Sequence, residues 1–182
     1  DVEKAITDKT ILISIMAANN EIGTLQPITE IGKLAKSRGI LFHTDAVQAY
    51  GQVPIDVEAM HIDMLSASGH KLNGPKGIGF LYIRKGLKLR SFIHGGAQER
   101  GQRAGTENLA GIVGIGKAIE LATQNLEANA ARMSRLRDKL IDGILAEIPD
   151  VRLNGHRTER LPNNVNVSIR YIEGEAMLLR LD

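Results

Sequence analysis

The chain predicts an α/β fold with a mainly parallel sheet, followed by the opening of a smaller α+β domain. Three observations point there. Short apolar runs alternate with segments of helical periodicity through the first half. Polar, glycine-rich clusters stand where those runs end. Past residue 125, a long amphipathic segment leads to two short alternating runs and a further helix. The expected division is residues 1–125, a cofactor-scale sheet domain, and residues 126–182, a connecting helix with part of a smaller domain.

Taken in order, residues 10–16 form a continuous apolar run suited to a buried strand. Asn19, Asn20 and Gly23 make a polar loop at its carboxyl end. After Pro27, the residues Ile28, Ile31, Leu34 and Ala35 recur at helical spacing, and Gly39 stands where a helix cap belongs. Residues 39–45 form the next strand, ending on Asp45. Strand, helix and strand in that order imply a parallel pair joined by a right-handed crossover. A short helical segment is expected at 57–60, a buried strand at 62–65, and a further strand at 79–84.

A polar glycine-rich loop with Arg100 and Arg103 then runs into a helix expected to begin near Thr106. Its amides, the hydroxyl and the positive helix end suit an anion; a surface loop with solvated arginines suits the same residues. Gly111, Gly114 and Gly116 read as a close-packing helix face, because no strand precedes them as a dinucleotide fingerprint requires. A long helix follows over 125–147. Its expected apolar stripe is Leu126, Met133, Leu136, Leu140, Ile144 and Ile148, with Arg132, Arg135, Arg137 and Lys139 on a solvated face. Pro149 ends it. Residues 151–154 and 164–169 alternate as half-buried strands, and a last helix starts near Glu173.

Composition narrows the function. Of 182 residues, 43% are hydrophobic and 24% charged, the balance of a folded globular chain. Aromatics are 3%, Trp is absent and the formal charge is only +2, which argues against a nucleic-acid partner. No apolar run approaches a membrane span, so no membrane partner is expected. The absence of Cys excludes, within these residues, disulfides, cysteine metal sites and a cysteine nucleophile. The chain opens on Asp1 and stops inside an amphipathic pattern, and it is expected to be an internal piece of a larger protein.

The chemistry concentrates in Ser66-Ala67-Ser68-Gly69-His70-Lys71, closed by Gly74, Pro75, Gly77 and Gly79. A lysine at a strand end, beside hydroxyls and an imidazole, can form a Schiff base with a carbonyl or bind an anion. A polar turn with one solvated lysine fits the same spacing. In an α/β sheet, ligands collect at the carboxyl ends of strands, where Asn20, Asp45 with Gln48, and Ser66 to Lys71 all fall. Taken alone, Asp45 also suits a helix cap and Asn20 a turn.

These motifs, with Glu99-Arg100-Gly101-Gln102-Arg103-Ala104-Gly105-Thr106, resemble in order those of the cysteine desulfurases, in the class V aminotransferase group of pyridoxal-phosphate enzymes. The resemblance implies a three-layer sheet domain of the PLP-dependent transferase type. It makes Lys71 the residue that bonds the cofactor covalently and later shuttles the substrate α-proton, helped by desolvation that lowers its pKa. Asp45 resembles the partner of the pyridinium nitrogen and Gln48 the partner of the phenolic oxygen. Asn20 orients the same edge or the substrate. Ser68 and His70 resemble phosphate ligands, and Thr106 a phosphate ligand lent by the other subunit of a homodimer. L-cysteine is the implied substrate and L-alanine the product, in the cytoplasm, with sulfur passed to a persulfide for iron–sulfur or other sulfur-transfer acceptors. A phosphate loop and a ring-stacking histidine are expected before Asp1, and the nucleophilic cysteine and a carboxylate-binding arginine after Asp182. On that basis the isolated chain is expected to be inactive. Selenocysteine lyase, another class V lyase or aminotransferase, and a non-catalytic folded fragment are the other readings.

Overall fold

Side-chain alternation along three short strands sets the geometry of the chain, whose computed structural model describes residues 1–181. After a single turn of helix, α1 (Val2–Ala5), comes β1 (Leu12–Met16). It pairs in parallel with β2 (Leu41–Asp45), Met16 lying opposite Asp45. β2 pairs in parallel with β3 (Met64–Ser68), Asp45 opposite Ser66. β4 (Gly79–Ile83) runs antiparallel beside β3, giving the order β1-β2-β3-β4. One face carries Ile13, Phe42, Leu65 and Ala67, all buried in the core. The opposite face carries Ser14, His43, Asp45, Ser66 and Ser68, which are exposed or half-buried.

Helix α2 (Ile28–Ser37) makes the crossover from β1 to β2 and buries Ile28, Ile31 and Ala35. It ends as the sequence predicts. Gly39 adopts φ +65°, its amide donates to the Lys36 carbonyl, and Ile40 donates to Ala35, a paired left-handed cap that satisfies the last carbonyls. Gly32 is required for a different reason. A Cβ there would collide with the Met60 carbonyl oxygen, so the helix could not lie this close to the 56–61 turn.

The helical segment expected at 57–60 is a single capped turn. The Asp56 carboxylate accepts from the Glu58 and Ala59 amides at 2.9 Å each, and His61 at φ +54° turns the chain out of it. β3 starts later and runs further than expected, through Ser68, because Ser66 and Ser68 face one side while Ala67 is buried on the other. The helix expected near Thr106 begins at Leu109 instead. There the Asn108 side chain accepts from the Gly111 amide at 3.1 Å and caps α3 (Leu109–Gln124). Of its glycines, Gly114 faces the Pro75 ring at close range, whereas nothing lies within 4 Å of Gly116, so the glycine face is narrower than expected.

The long helix α4 (Leu126–Glu147) turns its expected apolar stripe inward only in part: Leu126, Met133 and Ile144 are half-buried, and Ile148 is exposed. Ile141 is fully buried, while Leu136 and Leu140 are each 53% exposed. Arg137, expected on a solvated face, is nearly covered; its guanidinium donates to the carbonyls of Arg160 and Leu161 at 3.1 and 3.0 Å and pairs with Asp138. Tertiary hydrogen bonding thus adds Arg137 to an inward face that apolar residues share. β5 (Val151–Leu153) and β6 (Val167–Ile169) form an antiparallel pair, followed by α5 (Gly174–Leu181). No described helix is long and apolar enough to cross a membrane.

Candidate functional site

The parallel register brings the polar strand ends together. Asp45 closes β2 beside Ser66 of β3, and Ser68 lies two residues further along that strand, about 6–7 Å beyond. The backbone there is tied down. Ala17 donates to the Asp45 carbonyl at 2.8 Å, and Ala46 donates to the Ser66 carbonyl at 2.9 Å. The chain after β2 therefore cannot drift from the strands on either side.

Asp45 caps no helix, because only a turn follows it, but its side chain opens that turn. The Val47 amide donates to its Oδ1 at 2.9 Å, and among the described residues Oδ2 takes no protein donor. The carboxylate is exposed, with one oxygen held and the other turned to whatever binds at the strand ends. Gln48 follows, half-buried, in the turn that carries Ala49 into the core.

After Ser68 the chain makes one tight 3-10 turn, Gly69–Leu72. Leu72 is buried and anchors it, Gly69 donates to the Ile78 carbonyl, and Asn73 at φ +58° reverses the chain so that Gly74 donates back to Gly69. This short closed loop presents three polar side chains outward. The Ser68 hydroxyl and His70 Nδ1 share a 2.7 Å hydrogen bond. Lys71 is exposed and enters no ion pair among the described residues. The desolvation expected of this lysine is therefore not supplied by the residues described.

Asn20 protrudes from the turn after β1. The preceding Asn19 builds that turn, its side-chain oxygen accepting from the Glu21 and Ile22 amides at 2.9 Å each. A clamp from far along the sequence holds the same loop. Asn164 and Asn166 donate to the Glu21 carbonyl at 2.9 and 3.2 Å, Leu161 donates to Gly23, and Leu25 donates to Glu159. Gly23 must be glycine here, because its φ is +73° and a Cβ would strike the Asn164 side chain. Thr106 lies exposed in the coil before α3, remote in sequence from the strand ends, and no described contact joins it to Asp45 or Lys71.

One feature lies beneath Asp45 that motif reading passes over. His43 Nδ1 is 2.8 Å from the Ser14 hydroxyl and its Nε2 is 3.2 Å from the Ser66 hydroxyl. Burial pushes the His43 imidazole below its ordinary value, and the Asp45 charge opposes that shift. The signal in the sequence was positional: alternation puts residue 43 on the face of residue 45. Elsewhere, burial and the charges of Arg137 and Arg157 push the Arg160 guanidinium down, while four acceptor contacts to residues 154–164 satisfy it.

The side chains at the strand ends include a primary amine, a carboxylate, an amide and a hydroxyl–imidazole pair. These can meet a carbonyl carbon, a cationic nitrogen and an anion, the groups that the pyridoxal phosphate implied by the resemblance would present. The open Oδ2 of Asp45 and the unpaired Lys71 amine fit such a group. No cluster of metal-ligating side chains occurs among the described residues. Two surface concavities, one beside α2 around Gln26 and Val53 and one on α4 around Leu140 and Ile144, are lined by none of these side chains.

Comparison with known proteins identifies the family. The aminotransferase class-V family matches residues 1–182. The cysteine desulfurase IscS of Methanosarcina thermophila is 62% identical over 182 residues, covering all of this chain and 45% of its own length. The IscS of Clostridium botulinum (strain Hall) is 61% identical over 184 residues, with 100% and 46% covered. A solved NifS-like protein superposes with a TM-score of 0.90 at 43% identity, covering 97% of this chain and 48% of its own. The chain thus spans about half the length of the curated relatives it matches.

Proposed function

Because the chain belongs to the aminotransferase class-V family, we propose that the protein it represents is a pyridoxal-phosphate-dependent cysteine desulfurase, converting L-cysteine to L-alanine. The observation that carries the reading is the pairing of Asp45 and the Lys71 turn on adjacent strand ends. When bound, pyridoxal phosphate supplies an aldehyde carbon for an amine and a ring that accepts the electron pair left as the substrate loses its α-proton.

This chain's residues divide that work. Lys71 holds the cofactor through Nζ, then takes the proton from the substrate α-carbon and returns it on the way to alanine. Asp45 holds the ring nitrogen as a cation through the oxygen that Val47 leaves open. Gln48 donates its amide N–H to the phenolic oxygen, and Asn20 orients that edge or the substrate. Ser68 and His70 meet the phosphate. Thr106, on its exposed loop, serves a second subunit's phosphate site in a homodimer.

The sulfur step is transfer of a sulfur atom to a protein thiolate. The thiolate attacks the cysteine sulfur, and the carbon–sulfur bond breaks with its electron pair left on the β-carbon. That carbon takes a proton to become the methyl of alanine, and the protein is left as a persulfide with no external oxidant. These residues contain no Cys, so that thiol lies outside them. Residues 126–182 belong on this reading to a smaller domain beside the cofactor domain, and the enzyme works in the cytoplasm with a sulfur-acceptor or scaffold protein. The test is alanine formation from L-cysteine by the full-length protein with pyridoxal phosphate. Alanine formation that needs Lys71 supports the reading; equal formation by Lys71→Ala refutes it.

A further inference from the structure

The Ser14–His43–Ser66 bridge has no part in the roles above. It crosses three strands on the face Asp45 occupies: Ser14 lies opposite His43, one side-chain repeat before Asp45, and Ser66 lies opposite Asp45 itself. We propose that His43 is a positioning residue for Asp45: bonded to serines of both neighbouring strands, its imidazole holds the side-chain layer beside Asp45 on a backbone already tied, so that the carboxylate meets the cofactor ring nitrogen in one place. This rests on the pyridoxal-phosphate reading.

The geometry suits that task. An imidazole is planar and its two nitrogens point in divergent directions, so a single ring can bond partners on opposite sides. Each serine hydroxyl both donates and accepts, so the bridge is satisfied in either tautomer of the neutral ring. β1 brings Leu12, Ser14 and Met16 to this face, and β3 brings Met64, Ser66 and Ser68. None of these is charged, so Asp45 on the same strand is the charge that His43 senses. Burial disfavours the charged ring, which favours leaving the negative charge of Asp45 to a cationic partner. Loss of the bridge leaves the strand backbone tied but removes the side-chain support beside Asp45, loosening the carboxylate where the ring nitrogen needs it fixed.

The test uses the full-length protein loaded with pyridoxal phosphate, in three variants. His43→Phe keeps a ring but removes both bonds, Ser14→Ala with Ser66→Ala removes the partners but keeps the imidazole, and His43→Gln restores one bond. The readouts are cofactor dissociation by equilibrium dialysis and the pH midpoint of the bound cofactor's visible absorbance. His43→Phe and the double serine variant are expected to weaken cofactor binding about tenfold. They are expected to raise the pH midpoint by about half a unit or more, because a less firmly protonated ring leaves the lysine–cofactor nitrogen more basic. His43→Gln is expected to recover part of both. Lower thermal stability with an unchanged midpoint and affinity would overturn the proposal, leaving the bridge a structural tie only. If His43→Phe does not fold, the double serine variant decides. If the wild-type protein takes no cofactor at Lys71, the cofactor reading fails first and this inference with it.

Discussion

A methyl group at position 114 tests how α3 holds the loop that carries Lys71. In Gly114→Ala the new Cβ would lie 2.5 Å from Pro75 Cγ and 3.0 Å from its Cδ. Carbon contacts are comfortable at about 3.5–4.0 Å, so roughly 1 Å of overlap must be relieved, against a ring that cannot rotate away. Overpacking of this kind costs about 1–3 kcal/mol. Alanine in a helix interior returns about 1 kcal/mol over glycine. Gly116→Ala supplies the internal control: it makes the same exchange in the same helix with nothing within 4 Å. The helix gain cancels between the two variants, so Gly116→Ala should be the more stable by about 1–3 kcal/mol. Urea unfolding midpoints, read with equal slopes, measure that difference. Equal midpoints would refute the packing of α3 on the Pro75 loop. A shifted loop should also lower cofactor uptake in Gly114→Ala but not in Gly116→Ala.

Three other outcomes are expected. Arg137→Ala should destabilise the protein by about 2–3 kcal/mol in urea unfolding, because the carbonyls of Arg160 and Leu161 lose a charged donor; a loss below about 0.5 kcal/mol, the usual size for a surface site, would return Arg137 to the solvated face. Asp45→Asn should keep the fold but lower kcat/KM by about 3 kcal/mol, roughly two orders of magnitude; wild-type turnover would remove it from the ring-nitrogen role. His43, lowered below its ordinary value of 6.5 by burial, binds its proton less readily folded than unfolded. Its contribution is therefore complete above the unfolded value and is lost as pH falls through 6.5 toward the lower folded value. His43→Phe should flatten the fall in stability between about pH 7.5 and about pH 5.5, and an unchanged slope would show that His43 is not a source of it.

The strand–helix–strand alternation and the Gly39 cap were legible because each is a local pattern with one physical cause. So was the convergence of Asp45 with the Lys71 turn, which follows once two strands are parallel and end together. What escaped depends on contacts between distant residues. On α4 the half-burial of Leu126, Met133 and Ile144 was legible, but the covering of Arg137 was not, because it bonds carbonyls 23 and 24 residues away, which hydrophobic spacing does not register. The start of α3 moved to Leu109 because the Asn108 side chain, and not the Thr106 hydroxyl, reaches the first free amides. β3 hid its last residues because Ser66 and Ser68 look like loop until the burial of Ala67 between them is known. The clamp from Asn164 and Asn166 on the Asn20 loop joins residues more than 140 positions apart, and nothing near either end announces it.

The central claim is that the exposed lysine at the end of β3 holds pyridoxal phosphate. The direct measurement is borohydride reduction of the full-length protein with pyridoxal phosphate, followed by peptide mass mapping. The account predicts one pyridoxyl adduct, on Lys71, absent from Lys71→Ala. An adduct on another lysine, such as Lys76 in the same loop, or none at all, would contradict it.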